Sequence, residues 1–181
     1  AGSYDNQNFQ AEPLYEESIL LAVPADDPVG IRFKNLALTS QDIKEQLHLK
    51  QDVPGISLDL FKDRPFILLK KEHDLYKRAM LLAQEHGFTP VSSVHLNQLM
   101  TAFHLARQGL GISLVSDSLV RFCHTDENIL YFKLTARNPP LTHRPVFIAH
   151  KRNAPVTRAM EVFIETAKEI FLTFPDQLRI L

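Results

Sequence analysis

Short apolar runs alternate with helical patterns along the chain. The first clear run, residues 19–23, is continuously apolar and stops at Pro24, which is typical of a strand buried on both faces. A second run of this kind covers residues 66–69, and the polar loop 70–74 follows it. Because strands alternate with helices in this way, the sequence predicts an α/β domain.

The stretch between these two strands carries a weaker pattern. Ser40 is positioned to cap a short helix that carries Ile43, and a Pro-Gly pair at 54–55 breaks the chain afterwards. We predict a helix, a loop and a second short helix over residues 35–61.

A helix with a 3.6-residue period opens directly after the loop 70–74. Asp74 is predicted to cap this helix, and Gly87 is predicted to end it in a left-handed conformation, with Pro90 preventing continuation. Its predicted buried face consists of Tyr76, Ala79, Met80 and Ala83.

A second unit of the same kind comes next. Residues 91–94 are a predicted short strand, and residues 95–97 lead into a helix that stops at Gly109. Gly111 then allows a tight entry into a strand at 112–115. The predicted buried positions of this second helix are Leu96, Leu99, Met100, Phe103 and Ala106.

The rest of the chain is predicted to hold a short helix ending at Phe122, strands at 129–134 and 146–149, and a last helix. Asn153 is predicted to cap the last helix, with Pro155 in its first turn. This helix has the cleanest apolar stripe of the chain, and we expect the stripe to be packed: Val156, Ala159, Met160, Phe163, Ile164, Ala167, Ile170 and Phe171.

The two successive strand–helix units predict where a ligand would bind. Such units form parallel sheets with right-handed crossovers, and ligands bind at the carboxyl ends of the strands. Lys70, Lys71 or His73 could supply positive charge beside a helix N-terminus, which favours an anion. The candidate ligand-binding residues at these strand ends are Leu69, Lys70, Lys71, His73, His95, Asn97 and Ser116.

The main candidates also have plain structural interpretations. The loop 70–74 could be only a solvated, charged turn, and Asn97 could serve only as a helix N-cap. For His95 and Ser116, a structural role and a ligand contact are both open. Cys123 and His124 are adjacent in sequence, but adjacency does not make them a nucleophile–base pair. Cys123 is therefore interpreted as a buried or half-buried thiol.

Composition and charge narrow the function classes. The chain has 181 residues, of which 45% are hydrophobic, so it can bury a real core. Its 20 Lys and Arg against 21 Asp and Glu give no broad positive field, which argues against nucleic-acid binding by this stretch. One Cys cannot make an intrachain disulfide, and no metal or cofactor is predicted. The lack of a long apolar run and the polar start predict no membrane span, no signal peptide and a cytoplasmic location.

Four motifs in a particular order resemble the effector-binding domain of LysR-type transcriptional regulators. The resemblance covers roughly residues 1 to 172. It departs from the family at Val115-Ser116, where a Leu-Pro or similar pair is usual. The motifs are Leu14-Tyr15-Glu16 leading to Leu21-Ala22-Val23-Pro24, then Pro65-Phe66-Ile67-Leu68, then Gly87-Phe88-Thr89-Pro90, and then Leu105-Ala106-Arg107-Gln108-Gly109-Leu110-Gly111-Ile112.

The resemblance implies a two-lobed fold of the type 2 periplasmic-binding-protein kind, with the first lobe incomplete. Residues 1–24 would be a remnant of lobe I with a crossing strand, 25–142 would be lobe II, and 143–181 would return to lobe I with the C-terminal helix. Ser3 would then lie on the wall of the ligand crevice opposite the strand ends of lobe II.

The resemblance also implies a function. A small-molecule effector would bind between the two lobes and alter the geometry of a homodimer or homotetramer that pairs through the helix at 96–108. DNA would be bound only through an N-terminal helix-turn-helix that these 181 residues do not contain.

Two other classes of protein stay open. One is an extracytoplasmic solute-binding protein of related fold. The other is a hydrolase or transferase. The sequence contains no HExxH or CxxC motif that would support an enzyme, and the Gly-Leu-Gly at 109–111 is not a dinucleotide-binding motif because it follows a helix rather than a strand. We therefore predict a binding domain and not an enzyme.

Overall fold

The computed structural model describes residues 7–122 and 128–177. These residues form two compact units: unit 1 consists of the chain up to Glu17 and from Arg144 onwards, and unit 2 consists of residues 18–143. The strands are β1 (Phe9–Pro24), β2 (Phe66–Leu69), β3 (Ser92–Leu96), β4 (Ser113–Ser116), β5 (Ile129–Lys133) and β6 (His143–Lys151). The helices are α1 (Pro28–Arg32), α2 (Ser40–Lys44), α3 (Asp74–Glu85), α4 (Leu99–Arg107), α5 (Asp117–Phe122) and α6 (Arg158–Gln177).

Unit 2 is built on five strands in the order β3-β2-β4-β1-β5. As predicted, β2 and β3 are parallel, with Leu69 opposite Leu96. A single parallel bridge between Phe66 and Ile112 connects β2 to the start of β4. The other half of the sheet, for which the sequence predicted no strand direction, is antiparallel, with β1 between β4 and β5.

The core of unit 2 lies against this sheet. Residues 19–23 of β1 are at most 1% exposed, so the continuous apolar run is buried on both faces as predicted. Helices α3 and α4 pack on β2 and β4, and α2 packs on α5 and β5. The largest fully buried side chains include Phe61, Phe66, Phe103, Tyr131 and Phe132.

Two elements of unit 2 begin or face differently from the prediction. Helix α2 is capped by Thr39 rather than Ser40, because Thr39 and Asp42 form a reciprocal capping box. The buried face of α3 includes Leu75, Arg78 and Leu82 in place of the predicted Tyr76 and Met80, which are only half-buried. The apolar pattern gave the wrong face because Arg78 is charged and was therefore not counted as a buried position.

Unit 1 contains β6, which pairs with β1, and α6. The rings of Tyr15 and Phe171 stack with centroids 4.6 Å apart, and Arg144 Nε donates to a Glu17 carboxylate oxygen at 2.5 Å. A hydrogen bond from Lys168, together with its charge, lowers the pKa of the Glu12 carboxyl below its usual value.

Helix α6 corrects two predictions. It begins at Arg158, where Thr157 Oγ1 accepts from Met160 N at 3.3 Å, so Asn153 is not its cap. Phe163 of the predicted buried stripe is 67% exposed. Among the described residues, unit 1 has only β1, β6 and α6, and these few elements cannot cover every apolar position of a 20-residue helix.

Candidate functional site

Three strand ends of unit 2 meet at one edge of its sheet. The register that places Leu69 opposite Leu96 continues into the loop, where Lys70 N donates to Leu96 O at 2.9 Å. Strand β4 runs parallel to β2 from their shared bridge, so its last residue, Ser116, points to the same edge. The segments 70–73, 97–98 and 116–118 therefore lie at the carboxyl edge, which is the name we use for this edge below.

The candidate residues differ in exposure at the carboxyl edge. The side chains of Lys70, Lys71, His95 and Asn97 are exposed, and His73 is half-buried. Leu69 and Ser116 are buried, at 6% and 3% exposed. Ser3 and Cys123 lie outside the described residues. The residues that can reach a ligand with a charge or an amide are therefore those of the loops after β2 and β3.

The start of α3 is not capped as predicted. His73, not Asp74, occupies the N-cap position, and its side chain makes no capping hydrogen bond. Asp74 instead accepts a hydrogen bond from Arg78 Nε at 2.6 Å. The first turn of this 12-residue helix thus presents backbone N–H groups that no N-cap side chain occupies, at the positive end of the helix dipole.

The start of α4 is also displaced from the prediction. Strand β3 continues through Leu96, the helix begins at Leu99, and Gln98 holds the N-cap position without a capping hydrogen bond from its side chain. Asn97 is therefore not the cap, and its exposed amide is available for another partner. The neighbouring His95 ring lies 6.1 Å, centroid to centroid, from the Tyr76 ring of α3.

Ser116 is held inside the sheet. It pairs with Ile19 in the antiparallel ladder of β4 with β1, and its Oγ lies 3.0 Å from Ser118 Oγ. Its hydroxyl therefore already has a partner within the fold.

A buried polar network that the sequence did not indicate lies directly behind Ser116. Asp117 Oδ2 is 2.9 Å from His48 Nε2, and Asp117 Oδ1 accepts from the Ser18 backbone N–H at 3.1 Å. The side chains of His48 and Asp117 are 0% and 2% exposed. His48 Nδ1 has no hydrogen-bond partner among the described residues. The network fixes the point where β1 enters the sheet of unit 2.

A small cavity lies beside this network. It has room for about one water molecule, so it cannot hold a small organic effector. Its lining consists of Ser18, Ile19, Leu20, His48, Lys133, Leu134, Thr142 and His143.

The balance of charge at the carboxyl edge favours an anion. Two of its carboxylates are already engaged, since Asp74 binds Arg78 and Asp117 binds His48. The third, Glu72, is exposed in the loop itself, so the loop 70–73 carries two lysines against one carboxylate. Within residues 7–122 and 128–177, the ammonium groups of Lys70 and Lys71 take part in no ion pair with Asp or Glu that the structure describes. Cationic side chains beside a helix N-terminus form a site that suits a carboxylate or phosphate.

The described part of the chain shows neither a cluster of metal ligands nor a membrane-spanning helix. No group of three or more His, Cys, Asp or Glu residues there is arranged to hold a metal ion. None of the described helices combines the length and the apolar character that crossing a membrane requires.

Comparisons with known proteins define the class of this domain. Its fold matches the solved effector-binding domain of QuiR in complex with shikimate, with a TM-score of 0.66 and 14% identity; the match covers 94% of this chain and 69% of that chain. It also matches the effector-binding domain of BenM with benzoate, with a TM-score of 0.62 and 21% identity; this match covers 94% of this chain and 66% of that chain. The fold is therefore the type 2 periplasmic-binding-like fold of LysR effector domains.

The family follows from the sequence. The model of the LysR substrate binding domain matches residues 1–171, and the chain belongs to this family. An uncharacterised regulator of the helix-turn-helix type from Bacillus subtilis (strain 168), YcgK, is 26% identical over 165 residues. That match covers 91% of this chain and 48% of YcgK, so the chain spans about half the length of this relative.

Proposed function

We propose that the intact protein is a LysR-type transcriptional regulator and that this chain binds its small-molecule effector. Unit 2 is assigned to lobe II, and the effector site is assigned to the carboxyl edge of its sheet. The observation that carries this proposal is the convergence, at one edge with two exposed lysines, of three strand ends and of two helix starts without side-chain caps, in a chain that belongs to the family.

The proposed ligand is a small carboxylate. Benzoate and shikimate, the ligands of the BenM and QuiR domains, are both carboxylates. Lys70, Lys71 and His73 would supply positive charge, and Asn97 in the loop after β3 and His95 near the end of β3 would supply hydrogen bonds. Leu69 and Ser116 would contribute to the wall. Ser3 stays a prediction, since it lies outside the described residues.

We expect Lys70→Ala and Lys71→Ala each to weaken carboxylate binding by about tenfold, because a hydrogen bond to a charged group contributes about 1.5–3 kcal/mol. Both side chains are exposed, so the free energy of unfolding should change by less than about 0.5 kcal/mol. The measurement is a thermal-shift screen of small carboxylates that includes benzoate and shikimate, followed by titration calorimetry of the hits.

Lys62→Ala is the matched control, because Lys62 is also an exposed lysine, outside the loop 70–73, in unit 2. Unchanged affinity in both the Lys70 and the Lys71 variants would remove this loop from the site.

In a regulator of this type, effector binding must change how the protein assembly binds DNA. We propose that it does so as a homodimer or homotetramer that uses α4, with DNA bound through a helix-turn-helix outside this chain. An effector can shift such an assembly only by as much as its affinities for the two states differ. Since the chromosome is the target, the proposed location is the cytoplasm, and the extracytoplasmic alternative is disfavoured by the family match.

The oligomer is testable without an effector. Sedimentation velocity of the full-length protein at high micromolar concentration is expected to give the mass of a dimer or a tetramer. A monomer under these conditions would contradict the proposed pairing.

We also propose that the domain recognises its ligand without transforming it. The family is one of regulators. Any hit from the carboxylate screen should be recovered intact after long incubation with the protein, and its conversion over many turnovers would point instead to an enzyme.

A further inference from the structure

Arg78 is an unusual residue for the buried face of a helix. It lies on α3, in the second turn after the loop 70–73, and is 4% exposed. A buried guanidinium has to satisfy its N–H donors with fixed acceptors, because burying an unpaired charge is costly. What Arg78 binds is therefore informative.

One side of the guanidinium is bound to the start of its own helix. Arg78 Nε donates to Asp74 Oδ2 at 2.6 Å, an i,i+4 pair in which Arg78 is buried and Asp74 is partly exposed. Asp74 is the first residue of α3 and directly follows the loop that holds Lys70, Lys71 and His73. The loop therefore joins α3 at the residue whose carboxylate is the acceptor for Nε.

The other side of the guanidinium is bound to a distant segment. Arg78 Nη1 donates to the carbonyl oxygens of Pro140 at 2.5 Å, Leu141 at 3.0 Å and His143 at 3.0 Å. At the far end of α3, Glu85 accepts from the backbone N–H groups of 137 and 138 at 2.9 and 3.0 Å. Helix α3 therefore holds the segment 137–143 at both of its ends.

This segment leads to a junction in the chain. Thr142 O accepts from Ile19 N of β1 at 2.8 Å, and β6 begins at the next residue, His143. The chain leaves unit 2 immediately afterwards. Because a guanidinium is planar and its donors form a fixed fork, Nε and Nη1 cannot be reoriented independently. The position of Asp74 thus constrains the position of the three carbonyls.

We propose that Arg78 is a positioning residue that couples the loop 70–73, which is assigned to the effector, to the start of β6. The Asp74 carboxylate, the guanidinium and the carbonyls of 140, 141 and 143 form one continuous polar connection from the loop to the strand that leaves unit 2. The proposal deepens the proposed function and rests on it, since the connection begins at the loop assigned to the effector.

The experiment measures backbone hydrogen exchange in the full-length protein without any effector, by mass spectrometry or NMR. The reporters are the amides of Leu141 and Thr142, which are bound within the segment, and Ile19, which is bound to Thr142 O. We expect Arg78→Lys, which keeps the charge but loses the fork, to speed exchange at all three amides by about tenfold. Asp74→Asn should speed exchange at the same amides several-fold, and the double variant should be no faster than Arg78→Lys alone.

Glu161→Gln is the matched control, because Glu161 is also a first-turn acid paired with an arginine, Arg158, on an exposed helix surface. It should leave the reporter amides unchanged. Asp74→Asn would overturn the proposal if it changed exchange only in the first turn of α3, or if its effect added fully to that of Arg78→Lys. If Arg78→Lys fails to fold, Asp74→Asn alone decides, since Asp74 is partly exposed.

The exchange experiment and the carboxylate titrations can fail independently of each other. Failure of every carboxylate to bind would reject the ligand class and leave the exchange result intact. Unchanged exchange in Asp74→Asn would reject the coupling even where Lys70→Ala and Lys71→Ala weaken carboxylate binding.

Discussion

Asp117→Ala is expected to lower the free energy of unfolding by about 3–5 kcal/mol. The Asp117 carboxylate is the acceptor for two buried donors, the Ser18 backbone N–H and His48 Nε2. Alanine would leave both without their protein partner at a buried position, and a broken buried pair costs several kcal/mol because the remaining polar groups lose their hydrogen bonds while they stay largely desolvated. Urea unfolding followed by far-UV circular dichroism gives the measurement.

The matched control for this change is Asp63→Ala, in which an exposed carboxylate of unit 2 is removed. Its cost should stay below about 0.5 kcal/mol. Asp117→Asn should fall between the two, since an amide oxygen can still accept from Ser18 N–H. A loss below 1 kcal/mol for Asp117→Ala would mean that the network does not fix the entry of β1 into the sheet.

Gly111→Ala is expected to destabilise the protein by about 3 kcal/mol. Gly111 has φ +155°, and a Cβ placed there would lie 2.4 Å from the carbonyl oxygen of Pro65. That oxygen cannot move aside freely, because it accepts from Ile112 N at 2.9 Å in the only strand-to-strand bridge that the described residues show between β2 and β4. Overpacking and a strained φ each cost about 1–3 kcal/mol.

Gly109→Ala provides the comparison for Gly111. Gly109 has φ +79°, and a Cβ there would meet nothing within 4 Å, so only the left-handed conformation is penalised. This costs roughly 1–2 kcal/mol. Equal losses in the two variants would show that the contact with Pro65 has no energetic consequence.

The repeating strand–helix pattern predicted the parts of the fold that depend on neighbouring residues. The buried run at 19–23, the parallel strands β2 and β3, and the left-handed turn at Gly109 all follow from apolar spacing and glycine placement. The position of the loop 70–73 between a strand and a helix was also predicted, and its role in ligand binding stays a proposal.

Helix starts were predicted less well. At four helix starts the cap position is held by a different residue from the one predicted: Thr39 instead of Ser40, His73 instead of Asp74, Gln98 instead of Asn97, and Thr157 instead of Asn153. Several residues that favour caps stand close together in these turns, and the choice between them depends on which backbone N–H the side chain can reach. At Asp74 the competing partner was Arg78, and its i,i+4 spacing was a signal in the sequence that could have been used.

The sequence by itself determined the family, the α/β alternation and the position of the loops that follow β2 and β3, because these depend on periodicity and on residues a few positions apart. Only the tertiary structure decided that β1 runs antiparallel through the middle of the sheet, that His48 meets Asp117, and that Arg78 is buried. The His48–Asp117 pair spans 69 positions, and Arg78 reaches Pro140 across 62. No local pattern specifies such a partner, since a polar residue becomes stable at a buried position only when the fold brings a matching group to it.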